Sequence, residues 1–159
     1  MSSVFDPEIF LDATLTEPTE KRPPLPVECP GTSDGLYTAV IGAITSRTWQ
    51  GKKDPTKSGI ALDIPLTIDI PADMQLALKL PPTLSLKDGV MLDLTEAGQI
   101  DNSPGKNRRL RIYREATNMN NPGDTFSVRR MEGTVVKIRL EHELWNDAVV
   151  EKVVAVLKS

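Results

Sequence analysis

The sequence predicts a mainly-β fold: a five-stranded barrel with one helix between the third and fourth strands. Three observations predict it. Ile60, Leu62, Ile64, Leu66, Ile68 and Ile70 occupy alternate positions. Successive side chains of an extended chain point to opposite faces, so all six fall on one side of a strand. A second period-two stretch sets Val136, Ile138 and Leu140 against Val135, Lys137 and Arg139. Between these runs, Leu110, Tyr113 and Ala116 recur at helical spacing. The order β-β-β-α-β-β is the OB arrangement, a small, partly open Greek-key barrel. An SH3-like barrel and a small β-sandwich with an inserted helix satisfy the same pattern.

Each element follows from local chemistry. Residues 1–34 read as an extended, acidic, proline-rich arm. Pro7, Pro18, Pro23, Pro24, Pro26 and Pro30 remove backbone donors, and Pro23 to Pro26 favours a polyproline-like stretch. Phe5, Ile9, Phe10 and Leu11 can form one face of a short helix, for a partner or for packing back on the domain. The barrel occupies 35–159. Leu36 to Ile41 form its first strand, and Gly42 marks a bulge or tight bend.

Residues 47–59, rich in Gly, Pro and Lys, read as the long loop joining strands one and two. The second strand is Ile60 to Ile70, with Pro65 at an edge or bulge. Residues 71–88 are interrupted by proline; Met74 to Leu80 fit one or two helical turns, and Val90 to Leu94 a third strand. Ser103 as N-cap and Pro104 at the first helical position predict a helix running to about Asn118. The fourth strand follows Gly133, Trp145 to Ala148 make a turn, and Val149 to Leu157 return as the fifth.

The 159 residues are 39% apolar and 26% charged, the globular range for one domain. A lone cysteine, Cys29, forms no internal disulfide, and no run approaches the about 20 apolar residues of a membrane span. The N-terminus lacks the pattern of a signal peptide. A cytoplasmic location is therefore expected.

No catalytic, metal or cofactor site is expected. His142, between Glu141 and Glu143, has no orienting partner at recognisable spacing. One Cys and one His do not make a Cys/His zinc site. Asp63 and Asp69 read as the solvent-facing partners of the buried row, and Gly105-Lys106 lacks the remaining residues of a P-loop.

Charge distribution says more than the net value of −3. Through residue 45 there are seven acids and two bases, whereas from Pro104 to Arg139 there are nine bases and three acids. Arg47, Lys52, Lys53 and Lys57 form a second basic cluster, and Trp49 lies within it. Cations along phosphates with an aromatic face for bases are what single-strand binding requires. Trp49 and Trp145 fall in the loops between strands one and two and between four and five, which OB folds use for oligonucleotides. Each tryptophan reads equally as a core residue capping a barrel end. Arg108 and Arg111 on the helix, with Arg129, Lys137 and Arg139, extend the candidate surface. Leu110 must point inward, so Arg108, Arg109 and Arg111 do not all share one face.

Leu25-Pro26, Gly35 to Ile41, Ile100 to Leu110, Glu132-Gly133 to Ile138, His142-Glu143 and Glu151 to Val153 together resemble replication-module proteins of tailed bacteriophages. The resemblance spans most of residues 25–158. It implies an OB-fold single-stranded-DNA-binding protein, with Trp49, Lys52, Lys53, Arg108 and Arg111 as contacts. The expected partners are single-stranded DNA and, through the arm, replication or recombination proteins. A homodimer through an edge strand is compatible with an open barrel. Competing expectations are a non-enzymatic protein–protein adaptor or phage structural component using the arm, and a small inhibitor mimicking nucleic acid.

Overall fold

A computed structural model describes residues 6–159; Phe5 of the expected arm helix lies outside them. Strands β1 (Tyr37–Ile41) and β2 (Thr45–Gln50) follow one another along one side of β3 (Ser58–Asp69). Strand β4 (Thr83–Met91) flanks the other side of β3. Strand β5 (Val135–Trp145) pairs with β1, and β6 (Ala148–Lys158) with β5. The pairings are antiparallel and make one six-stranded sheet. The mainly-β expectation holds. The sheet is open, because β4 and β6 do not pair.

Six strands stand where five were expected because the first is broken after Ile41. The register pairs Ile41 with Leu66 and Thr45 with Asp63, so three residues oppose two. That is a bulge. It falls where Pro65 has no N–H to donate, while the Pro65 carbonyl accepts from the Gly42 amide at 2.8 Å. A side chain at position 42 would meet the proline ring, 3.1 Å from Cγ. Gly42 and Pro65 thus bend two strands together.

The alternating row of β3 builds the core. Leu62, Ile64, Leu66, Ile68 and Ile70 are buried. They pack with Tyr37, Ala39 and Ile41 of β1 and Val136, Ile138 and Leu140 of β5. Each fully buried aliphatic of this kind contributes about 1.5–3 kcal/mol. Helix α3 (Arg108–Ala116) adds Leu110, Tyr113 and Ala116. It lies against β6 and touches β4. Arg109 pairs with Asp88 of β4 and donates to the Val153 carbonyl of β6 at 3.4 Å. Tyr113 Oη donates to the same carboxylate at 2.6 Å. Side chains therefore join the two strands that the backbone leaves apart.

Several boundaries differ from expectation. The region 71–88 resolves into a short helix α2 (Ala72–Leu78) and most of β4. In β4, Leu84 and Leu86 alternate with Thr83, Ser85 and Lys87, and the strand ends at Met91 rather than Leu94. Helix α3 starts at Arg108 and not at Pro104. Gly105 (φ 84°) and Asn107 (φ 53°) take left-handed conformations that a continuing helix excludes. The Asn107 side chain instead accepts from the Asp93 amide at 2.8 Å and donates to the Asp93 and Asp101 carbonyls.

The folded body also begins well before Gly35. Leu25 is fully buried and Cys29 nearly so. Tyr37 Oη donates to the Pro26 carbonyl at 2.7 Å, and His142 Nε2 to the Leu25 carbonyl at 2.6 Å. Glu151 accepts from the Leu25 amide at 2.8 Å and pairs with Arg22. Burial raises the Glu151 carboxyl, but Arg22 and the Leu25 amide outweigh it and hold the group below its ordinary value. Of the expected arm, residues 6–21, with helix α1 (Pro7–Leu11), are exposed throughout. Among the described residues, no helix is long and apolar enough to cross a membrane.

Candidate functional site

Trp49 is not in a loop, as expected, but in strand β2, because the hairpin ladder continues to Gln50↔Ser58. The loop shrinks to residues 51–57. It closes on itself: the Gly51 amide donates to the Lys57 carbonyl at 2.8 Å and the Lys57 amide to the Asp54 carbonyl at 3.1 Å. Gln50 Nε2 donates to the Pro55 carbonyl at 2.7 Å, and the Asp54 carboxylate accepts from the Thr56 amide at 3.1 Å. Asp54, the one acid of the loop, is used inside it. Lys52, Lys53 and Lys57 are exposed and make no ion pair among the described residues.

Alternation puts Trp49 and Arg47 on the outer face of the sheet. Trp49 stands opposite Gly59, and Arg47 opposite Ala61, which faces Met91 on its other side. The small residues of β3 are covered by their long neighbours: Ala61 is buried, and Gly59 lies under the indole. The Trp49 ring is half-buried and lies outside the core cluster. It rests on Gly59, where a Cβ would stand 2.8 Å from Nε1. Nε1 is buried there without a hydrogen-bond partner among the described residues, which costs about 1–3 kcal/mol. Arg47 Nε donates to both oxygens of Asp63 at 3.2 Å. That pair leaves little charge free at Arg47 and holds its guanidinium over Gly89 of β4, away from Gly59.

A second cationic group lies at the same end of β3. The Leu92 amide donates to the Ile60 carbonyl at 3.0 Å, beside Gly59, and Asp93 binds Asn107 at the start of α3. From that start of α3, Arg108 and Arg111 line a concave surface with Lys106 and Arg114. Arg111 meets Glu115 at 3.6 Å, with both side chains 58% exposed. Phe126, on the same surface, was not among the sequence-derived candidates. Arg108, Arg111 and Arg114 are three apart, so their alignment is a helical signal the sequence contains.

The remaining candidates stand elsewhere. Lys137 Nζ is 3.0 Å from Asp34, and Arg139 is exposed on β5. Arg129 is exposed on a short 3₁₀ turn (Val128–Met131). Trp145 is 63% exposed at the β5–β6 turn, so it does not cap the core. Tyr37 pairs with Ile138 and Val40 with Val135, so β5 leaves β1 in the direction opposite to β2. The two tryptophans therefore mark opposite ends of the sheet, not two sides of one cleft.

No group of three or more His, Cys, Asp or Glu side chains able to hold a metal ion occurs among the described residues. His142 is used to hold Leu25. No family model, curated protein or solved structure matches the chain.

Proposed function

We propose that the chain binds single-stranded DNA without sequence preference, at the end of the sheet carrying Trp49 and the loop 51–57. The observation that carries this reading is a half-buried indole on an outer sheet face, next to three lysines with no ion pair among the described residues. A base stacked on such a ring contributes about 1–3 kcal/mol whatever its identity, and the ammonium groups meet phosphates. The unpaired indole N–H supports it further, since moving off Gly59 to meet a base restores a partner to that group.

The fold reading belongs to the same proposal. β1 and β2 act as one bent first strand, which leaves five strands with α3 between the third and fourth. In an OB fold those strands close into a partly open barrel, and the face of the second and third binds oligonucleotides. Here these are β3 and β4; Trp49 lies against Gly59 of β3, and Met91 at the end of β4 is exposed. Arg109, reaching from Asp88 to Val153, takes the place of the missing β4–β6 pairing. The resemblance to phage replication-module proteins points to replication or recombination as the setting.

A second reading, a protein–protein adaptor, is favoured by the arm. Ile9, Leu11 and Leu15 are 66%, 79% and 80% exposed among acidic neighbours. A titration of intrinsic fluorescence with oligo-dT at low salt separates the two. DNA binding predicts quenching that added salt reverses. Unchanged emission, with no binding by an independent method, leaves the adaptor.

A further inference from the structure

We infer that the concave surface formed by α3, the loop 102–107 before it and residues 120–126 is a distinct site for a phosphomonoester attached to a nucleoside, either a free nucleotide or the 5′-phosphorylated end of a strand. Its volume is about 730 Å³, within the range of small-molecule sites. Lys106, Arg108, Arg111 and Arg114 line it, against a single acid, Asp124. Leu110 and Phe126 supply apolar wall. Such a balance suits a dianion better than the single charge of an internal phosphodiester.

One guanidinium is already positioned. Arg114 lies over the Phe126 ring at 4.2 Å, and its Nε donates to the Met119 carbonyl at 3.0 Å. The planar group is thus fixed with its terminal nitrogens uncommitted, so less side-chain freedom is lost when an anion arrives. Asp124 makes no ion pair with it among the described residues; its carboxylate accepts from the Asn121 amide at 3.2 Å. Lys106 and Arg108 make no ion pair among the described residues. Phosphate on the cations places the attached sugar and base toward the Leu110 and Phe126 wall.

The strand-end form rests on the DNA-binding reading; the free-nucleotide form does not. The test compares 5′-phosphorylated and 5′-hydroxyl oligo-dT, dTMP and inorganic phosphate on the full chain, by calorimetry and by NMR. It uses the wild type and the double variant Arg108→Glu, Arg111→Glu, whose two side chains are exposed and make only the weak Glu115 pair. The proposal expects dTMP to bind more tightly than inorganic phosphate and to lose its affinity in the variant. For a strand end, a 5′-phosphate tightens oligo-dT about tenfold or more, the effect of one or two charge-assisted hydrogen bonds, and only in the wild type. Equal binding of the two oligomers with dTMP retained assigns the site to free nucleotide. Failure of dTMP to bind, together with equal affinity for both oligomers, overturns the proposal. Binding of the 5′-hydroxyl oligomer judges the DNA-binding reading separately.

Discussion

The indole of Trp49 lies on Gly59, its partner across the β2–β3 hairpin, in the space a side chain would fill. Only the absence of a Cβ allows the ring this position. In a Trp145→Phe background, which leaves Trp49 as the single emitter, Gly59→Ala should shift the emission to longer wavelength as the ring is lifted. Unaltered emission in the Ala variant would contradict the packing.

Lys52, Lys53 and Lys57 carry charge that no acid in their loop neutralises. Replacing all three by Gln should weaken oligo-dT binding and flatten its salt dependence. With one phosphate per lysine at about 0.7 log units each, the slope of log affinity against log salt should drop by about 2. The comparison needs affinities at four or more salt concentrations. An unchanged slope would take the loop out of the interface.

The register of β3 was legible because aliphatics at every second position admit only an extended chain. The bend at Gly42 and Pro65 was legible for a similar reason: one residue lacks a side chain, the other a donor. Helix α3 was misplaced at its start because Ser103-Pro104 has the local chemistry of a helix opening. What overrides it is tertiary, the three hydrogen bonds that commit Asn107 to Asp93 and Asp101. Leu25 was hidden among prolines that speak for an arm; its burial depends on His142 and Glu151, more than a hundred residues away. Trp49 was located to the right cluster but the wrong element, since its strand is polar and shows no apolar alternation.

Leu25→Ala should cost about 2–5 kcal/mol in urea unfolding, the range for a large-to-small change in a core. Leu11→Ala, on the exposed arm helix, should stay within about 0.5 kcal/mol. Equal, small effects of both would return residues 22–34 to the arm.

Glu151 makes that anchor sensitive to acid. Its carboxyl is held below the ordinary 4.5 in the folded chain, so its contribution is present above that pH and is lost as pH falls through the folded value. Glu151→Gln should remove this part of the acid dependence, seen as a flatter urea midpoint between about pH 5 and 3. A variant as acid-sensitive as the wild type would place the dependence on other carboxylates.

Burial, then the charge of Asp88 and the hydrogen bond to it, raise the Tyr113 hydroxyl far above its ordinary value of 10.0. The unfolded chain therefore ionises first, and stability should decline as pH rises past 10. Tyr113→Phe should lose about 1 kcal/mol at neutral pH from the missing hydrogen bond and show a shallower alkaline decline. Tyr37, also raised by burial, keeps the decline from vanishing. An identical alkaline slope in the variant would contradict the raised Tyr113 hydroxyl.

The claim that single-stranded DNA is held at the Trp49 end is tested most directly by fluorescence anisotropy of a labelled oligo-dT at low salt, with Trp49→Ala and Trp145→Ala side by side. The account predicts wild-type binding, a loss of about fivefold or more for Trp49→Ala, and little change for Trp145→Ala. Equal affinities for all three proteins, or no binding by any of them, would contradict it.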